Sequence, residues 1–155
     1  MAEAHEDYLR RTLELAETAV RRGDHPFGAL LVVDGSVALC AENRVVTEGD
    51  CTRHAELTLV SLASRSLPPD QLARATLYSS TEPCPMCAGA IHQCGLNRIV
   101  FACSARGLRR LIGRDEVLPC REVFERIGRP VEVMGPLLEE EGLALHQKYH
   151  WWRAN

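Results

Sequence analysis

Two short segments, His54-Ala55-Glu56 and Pro83-Cys84-Pro85-Met86-Cys87, restrict the folds that are open to this chain. Two cysteines separated by two residues can both reach one metal ion, because one helical turn brings their sulfurs to the same side. No second pair is present that would complete a structural zinc site, so His54 is the candidate third ligand. The fold must then bring both segments to one point. The remaining cysteines are isolated: Cys40, Cys51, Cys94, Cys103 and Cys120.

A Cys-x-x-Cys pair by itself is also typical of thioredoxin-like redox sites and of half a structural zinc site. With His54, however, Cys84 and Cys87 supply three protein ligands, the pattern of a catalytic zinc that keeps its fourth position open for water. Glu56 would lie beside that position without being a ligand, and a carboxylate there can take up and return a proton. The sequence therefore favours a catalytic zinc site.

Helix starts are expected at both segments. Pro83 sets the backbone for helix entry, and the unpaired N–H groups of a helix N-terminus favour thiolate over thiol at Cys84 and Cys87. If His54 also stands at a helix start, two helix N-termini converge on the metal and stabilise negative charge there.

Apolar periodicity and turn residues predict strands that alternate with helices. The Asp34-Gly35 pair between two apolar runs indicates a β-hairpin, and later strand–helix–strand units favour parallel neighbours. The expected fold is α/β, with three layers and helices on both faces of a mixed five-stranded sheet. Predicted helices are 4–22, 54–63, one opened by 81–83 and ended by 95–97, 123–127 and 137–150; predicted strands are 26–33, 36–40, 75–80, 98–103 and 131–134; 43–53 is expected to be a loop, and 105–118 is ambiguous.

The composition predicts one ordinary domain over residues 1–155, since 46% of the chain is hydrophobic and 25% charged. The odd number of cysteines and the polar, acidic N-terminus indicate a reducing, cytoplasmic location without a secretory leader. No apolar run approaches the roughly 20 residues of a membrane span. The net charge of −3 argues against nucleic acid as a partner, although a local basic patch is compatible with it.

Four arginines in the ambiguous segment have two interpretations. They could form a phosphate-binding patch, but a solvated helix face is the favoured interpretation. Cys51 is likewise assigned to packing or surface chemistry rather than to the metal. The arginines are Arg106, Arg109, Arg110 and Arg114.

The sequence resembles the cytidine-deaminase superfamily, and within it the branch of guanine deaminases, related nucleoside deaminases and tRNA adenosine deaminases. The resemblance implies a cytidine-deaminase-like fold, one zinc ion per subunit and a homodimer or larger assembly whose C-terminal segments can be exchanged. The catalytic core would span about 26–103, and 104–155 would select the substrate and form the oligomer. The resemblance runs from about Pro26 to Ala102 and rests on Pro26-Phe27-Gly28-Ala29, Asn43-Arg44, His54-Ala55-Glu56 and the segment from Thr81 to Ala90.

The same resemblance assigns roles to individual residues. Glu56 matches the proton shuttle of the family, and Asn43 matches an asparagine that hydrogen-bonds the substrate. The backbone N–H of Ala55 would contact the base, and the carbonyl of Pro83 would lie near the departing ammonia. For Asn43 a purely structural role in a turn stays open, since asparagine is common in turns.

The expected reaction is zinc-dependent hydrolytic deamination of a small nucleobase or nucleoside of purine metabolism: guanine, guanosine or a related aminopurine or aminotriazine. The alternatives are a tRNA adenosine-to-inosine deaminase, a cytosine or cytidine deaminase, and a zinc-stabilised binding protein without turnover. Asp115 or Glu116 could recognise an exocyclic amino group. The aromatic rings of Trp151 or Trp152 suit stacking on a base or covering the site of a partner subunit. Phe27 is a further candidate substrate contact.

Overall fold

The Asp34-Gly35 pair forms the predicted hairpin turn, with φ of 49° and 77° at its two residues. Positive φ at both positions is typical of a type I′ turn, which matches the twist of the flanking strands. This computed structural model describes residues 2–153. Its helices are α1 (Ala2–Arg22), α2 (Val45–Glu48), α3 (Ala55–Ser66), α4 (Pro69–Arg74), α5 (Pro85–Cys94), α6 (Ala105–Leu111), α7 (Cys120–Ile127) and α8 (Glu139–Tyr149), followed by a 3₁₀ turn (Trp151–Arg153); its strands are β1 (Gly28–Val33), β2 (Ser36–Glu42), β3 (Thr76–Thr81), β4 (Arg98–Cys103) and β5 (Glu132–Met134).

The five strands form one sheet in the order β2-β1-β3-β4-β5. Strand β1 is antiparallel to both β2 and β3, whereas β4 is parallel to β3 and to β5. The predicted mixed five-stranded sheet is therefore confirmed. Thr81 and Cys103 lie side by side where β3 and β4 end. In a parallel pair both strands end at the same edge, and the segments that follow them meet there.

Helices cover both faces of the sheet, and each face has its own apolar core. On one face α3, α5 and α7 pack over strand residues that include Leu31, Leu77 and Ile99. On the other face α1 and α8 cover Leu30 and Val100. Leu30 and Leu31 belong to different cores because successive side chains of a strand point to opposite faces. The three-layer α/β/α architecture is thus confirmed.

Gly28 is the point at which α1 comes closest to the sheet. A Cβ atom at this position would collide with the carbonyl oxygen of Thr12 and would lie 2.6 Å from the Cβ of Leu15. The backbone N–H of Gly28 donates a hydrogen bond of 3.0 Å to the hydroxyl of Ser80 on β3. Glycine at this position therefore allows α1 to lie directly on the sheet.

Two corrections concern helices that local sequence did not indicate. Helix α2 lies within 43–53, which was predicted to be a loop. The carboxylate of Asp24 accepts hydrogen bonds from the backbone N–H groups of Val46 and Thr47, and so satisfies donors at the start of α2 from outside the segment. Helix α4 begins at Pro69, between the predicted helix 54–63 and the predicted strand 75–80, where no element was predicted; proline suits the first turn of a helix.

The remaining corrections concern boundaries. Helix α5 begins at Pro85 rather than at 81–83, because Thr81 still belongs to β3 and Cys84 is the residue before the helix. Helix α7 begins at Cys120, ahead of the predicted 123–127, and the ambiguous segment contains α6. Within residues 2–153, no helix is long and apolar enough to cross a membrane.

Candidate active site

The two predicted ligand segments meet at the edge of the sheet where β3 ends. His54 immediately precedes α3, Cys84 immediately precedes α5, and Cys87 lies in the first turn of α5. The Nδ1 atom of His54 lies 3.5 Å from the Sγ atom of Cys84 and 3.6 Å from that of Cys87. Two helix N-termini therefore converge on one point, as the sequence predicts.

The three atoms fit a zinc ion. A tetrahedral site with Zn–S bonds of about 2.3 Å and a Zn–N bond of about 2.0 Å places sulfur and nitrogen roughly 3.5 Å apart, in agreement with both separations. One imidazole nitrogen and two sulfurs are also donors that zinc prefers. Among residues 2–153, His54, Cys84 and Cys87 form the one such group close enough to hold a metal, with all ligand atoms within 4.8 Å of one another.

The charge at Cys84 favours a bound cation. The pKa of the Cys84 thiol is lowered to about 4, because the Cys87 thiol and the His54 imidazole both hydrogen-bond to its sulfur. The pKa of His54 is raised, chiefly by the same hydrogen bond to Cys84. The pKa of Cys87 is raised because its proton is held in the hydrogen bond to Cys84 and because it is buried. Zinc would displace the proton of Cys87 and the proton that His54 shares with Cys84, since a metal binds thiolate and neutral imidazole.

Glu56 lies beside the three ligand atoms but does not belong to their group. The residue is 4% exposed, and its Oε2 atom lies 3.8 Å from the Sγ atom of Cys87. Burial raises the pKa of this carboxyl, although a hydrogen bond from Ser79 acts in the opposite direction. A carboxyl in this environment binds and releases a proton closer to neutral pH than an exposed glutamate does.

Ser79 is a site residue that the sequence analysis missed. Its hydroxyl lies 2.6 Å from the Oε1 atom of Glu56 and 2.7 Å from the carbonyl oxygen of Thr81. Because a hydroxyl has one proton, Ser79 can donate it to ionised Glu56, or donate it to Thr81 while accepting a hydrogen bond from protonated Glu56. The available signal was a serine in a buried strand, because a buried polar group needs a partner.

A cavity of about 880 Å³ opens over the ligand segments. His54, Glu56 and Cys84 lie in its lining, together with apolar residues such as Leu108 of α6. Arg109 and the exposed Arg114 also line it, whereas Arg106 and Arg110 are exposed and lie outside the lining. Four predicted substrate contacts are lining residues: Phe27, Asp115, Glu116 and Trp151. Within residues 2–153, the lining does not include Asn43, Ala55, Pro83 or Trp152.

Asn43 is not among the lining residues and is 1% exposed. Its Oδ1 atom accepts a hydrogen bond from the backbone N–H of Val45, which is the turn role that the sequence left open. Its backbone carbonyl accepts a hydrogen bond of 2.8 Å from Arg22, which also binds the buried carboxylate of Asp24. Asn43 is therefore held on both its side chain and its backbone.

The facing wall of the cavity is formed by α6 and by the lining residues between 112 and 118. This wall is attached through Glu82, another residue that the sequence analysis missed. One carboxylate oxygen accepts a hydrogen bond of 2.9 Å from the N–H of Ala105, and the other accepts one of 2.8 Å from the N–H of Cys120. These donors are the first residues of α6 and α7, where N–H groups lack partners within the helix. Glu82 directly precedes the Pro83-Cys84 pair, and it joins the ligand segment to α6, which lines the cavity, and to the start of α7.

Glu139 of α8 attaches the same wall from another direction. Its carboxylate accepts hydrogen bonds of 2.6 Å from the backbone N–H and 2.7 Å from the hydroxyl of Ser104, the residue before α6. Gly107 lies against this carboxylate, and a Cβ atom there would collide with it. The start of α6 is therefore fixed by two carboxylates that lie far from it in the sequence.

Residues 2–103 match the family model described as the cytidine and deoxycytidylate deaminase zinc-binding region. A probable cytosine deaminase of Schizosaccharomyces pombe is 33% identical over 147 residues, which cover 92% of this chain and 90% of the relative. A tRNA-specific adenosine deaminase of Bacillus subtilis is 35% identical over 135 residues, which cover 86% of this chain and 81% of the relative. The solved structure of a guanine deaminase from Nitrosomonas europaea superimposes with a TM-score of 0.79 at 25% identity, over 93% of this chain and 83% of that one.

The chain therefore belongs to the cytidine and deoxycytidylate deaminase family. It is a zinc-dependent hydrolytic deaminase, and the His-Cys-Cys group supplies three donors that suit the metal. These relatives are named for three different substrates, so membership of the family leaves the substrate open.

Proposed function

We propose that this protein hydrolytically deaminates a small guanine-type substrate: guanine, guanosine or a related aminopurine or aminotriazine. The observation that carries the proposal is the position of Glu56. Its buried carboxyl lies in the wall of the cavity next to His54, Cys84 and Cys87, and it is not one of the metal-binding group. A carboxyl that faces a substrate cavity without binding the metal is available to transfer protons.

His54, Cys84 and Cys87 would hold the zinc ion, which supplies a nucleophilic water at neutral pH when bound. Glu56 would receive a proton at Oε2, the oxygen that Ser79 does not contact. It would deliver protons to the ring nitrogen and then to the amino group that leaves as ammonia. In balance, one water is consumed, the C–NH₂ bond is replaced by C=O, and one ammonia is released.

Lining residues other than the ligand group support a purine-type substrate. Phe27 and Trp151 contribute aromatic surface, which suits a flat base. Asp115 and Glu116 contribute carboxylates, which accept hydrogen bonds but donate none when ionised. Guanine carries ring N–H groups in addition to the amino group that leaves, so it can satisfy acidic acceptors throughout the reaction. Ala55 would add a backbone N–H from the first turn of α3.

A cytosine substrate is the second candidate, because the Schizosaccharomyces pombe relative is a probable cytosine deaminase and matches nearly the whole chain. A tRNA substrate would use Arg109 and Arg114 at the cavity for phosphate contacts. The net charge of −3 argues against this third possibility, since nucleic-acid affinity depends largely on basic charge.

The homodimer and the exchange of C-terminal segments stay predictions. Within the described chain, Trp151 lines the cavity of its own subunit.

An ammonia-release assay tests the proposal with guanine, guanosine, adenine, cytosine, cytidine, aminotriazines and a tRNA. We expect release from guanine-type substrates, and we expect Glu56→Ala to lower the rate by a factor on the order of 10² to 10⁴ while the protein keeps its zinc and its fold. Turnover retained in Glu56→Ala would refute the shuttle role. Release from cytosine alone, or salt-sensitive release from tRNA alone, would overturn the substrate assignment.

A further inference from the structure

A chain of hydrogen bonds through His146 connects the C-terminal turn to the end of β3. His146 lies in α8 and is 1% exposed. The indole Nε1 of Trp151 donates a hydrogen bond of 2.9 Å to its Nδ1 atom, and its Nε2 atom lies 2.8 Å from the hydroxyl of Thr81. Thr81 is the last residue of β3, and the segment that carries Cys84 follows it directly.

These contacts determine which tautomer His146 adopts. The indole N–H can only donate a hydrogen bond, so the Nδ1 atom of His146 must be the unprotonated acceptor. In a neutral imidazole the proton then resides on Nε2, which donates to the hydroxyl of Thr81. The hydroxyl of Thr81 can in turn donate a hydrogen bond to the sulfur of Cys103, 3.4 Å away. Burial lowers the pKa of His146 to about 4, which keeps the ring neutral at physiological pH.

Aromatic packing places Trp151 in the cavity wall next to Phe27. The centroids of these two rings are 5.2 Å apart at an interplanar angle of 77°, the edge-to-face arrangement that aromatic pairs prefer. The ring of His146 lies behind Phe27 at 5.0 Å, and the ring of His25 lies 4.9 Å from Trp151. Of these contacts, only the hydrogen bond to His146 involves the indole N–H of Trp151. This bond therefore determines the orientation of the indole ring in the cavity wall.

We propose that His146 is a positioning residue for substrate selection, which acts as the Nε2-protonated tautomer and holds Trp151 in the cavity wall through the indole N–H. Through Thr81, the same side chain joins this wall to the strand end that precedes the metal ligands. The part of the inference that concerns substrate selection rests on the proposed function. The tautomer and the hydrogen bond do not depend on it.

Long-range ¹⁵N–¹H NMR spectra of the full-length protein test the tautomer directly. We expect His146 to show an unprotonated Nδ1 and a protonated Nε2, and we expect the Trp151 indole proton to exchange slowly with water. Trp152 is the internal control, since its indole makes no hydrogen bond within residues 2–153. Trp151→Phe and Trp152→Phe assign the two indole signals. A protonated Nδ1, or a Trp151 indole proton that exchanges as fast as that of Trp152, would overturn the inference.

Two substitutions then separate the partners of His146. The side-chain oxygen in His146→Asn lies near the place of Nδ1 and can still accept from Trp151, whereas the amide in His146→Gln lies near Nε2 and can serve only Thr81. We expect slow Trp151 exchange to persist in His146→Asn and to be lost in His146→Gln. We also expect His146→Gln to raise KM about tenfold with kcat changed less than about twofold, the signature of lost substrate binding.

Zinc content and melting temperature, measured for both variants, control for a merely structural role of His146. Such a role would affect the two variants alike. Equal KM values in the two variants would refute selection through Trp151. If neither variant folds, the NMR spectra of the natural sequence still decide the tautomer and the hydrogen bond. If no guanine-type base releases ammonia, the proposed function fails, while the NMR result stands by itself.

Discussion

The part of the cavity that holds the ligands is built differently from the part that faces them. His54 and Cys84 each stand immediately before a helix, and Cys87 is one turn further on, so neighbouring backbone positions them. The facing wall is held by hydrogen bonds from distant residues instead. Glu82 binds the starts of α6 and α7, and Glu139 binds the residue before α6.

This difference separates chemistry from substrate choice. Residues 2–103, which contain the three proposed ligands and Glu56, match the family model, whereas α6 and the lining residues between 112 and 118 lie beyond it. A wall held by a few carboxylates can change its shape without disturbing the ligands. We therefore expect substitutions in the ligand part to abolish turnover, and substitutions in the wall to change substrate binding and stability.

The largest effect is expected for Cys87→Ala, which removes one of the three proposed donors for zinc. Activity should fall below detection and zinc content, measured by atomic absorption, should be far below one ion per chain, because two ligands hold zinc much less tightly than three. Cys94→Ala is the matched control on the same helix, outside the ligand group. Normal zinc content in Cys87→Ala would remove this residue from the ligands and weaken the contrast between the two parts.

Acid should destabilise the folded protein through His146, which binds Trp151 of the cavity lining. Its pKa is about 4 in the folded protein against 6.5 for an unperturbed histidine, so the unfolded chain binds more protons between these values. The stability contributed by His146 is complete above pH 6.5 and is lost as the pH falls towards 4, by about 3 kcal/mol in total. Urea unfolding from pH 4 to 8 measures it. His146→Phe, which cannot titrate, should show a correspondingly flatter profile, and identical profiles would contradict the prediction.

A smaller effect is expected for Glu82→Gln. One oxygen is replaced by an amide donor that faces a backbone N–H group, so one hydrogen bond is lost and a donor is left without an acceptor. The free energy of unfolding should fall by about 2 kcal/mol and KM should rise, with zinc content unchanged. The exposed Glu122 of α7 supplies the matched control, Glu122→Gln. Loss of zinc in Glu82→Gln would show that the wall and the ligands are not separable.

Ser79→Ala should have the smallest effect. It removes the hydroxyl that contacts Glu56 but leaves the ligands in place, so kcat should fall about tenfold while KM and zinc content stay near their natural values. Ser80→Ala is the neighbouring control, since Ser80 serves Gly28 instead of Glu56. If kcat is unaltered in Ser79→Ala, Glu56 does not depend on this hydrogen bond for its position.

The sequence predicted the ligand part more completely than the wall. The strong signals were local: the Asp34-Gly35 turn, the apolar strand runs and the spacing of Cys84 and Cys87. Helix α2 was missed because its first N–H groups bind the distant carboxylate of Asp24. The start of α7 was predicted too late, since Cys120 at its first position is stabilised by Glu82 and not by a neighbouring residue.

By itself, the sequence determined the α/β alternation and indicated the His-Cys-Cys donors with the carboxyl beside them, because each segment is recognised by residue types at short spacing. Only the tertiary structure decided which polar groups complete the site. Ser79 meets Glu56 across 23 positions of the chain, and Thr81 meets His146 across 65. Such pairs leave no local pattern, since each buried group needs a partner but does not specify where in the sequence that partner lies.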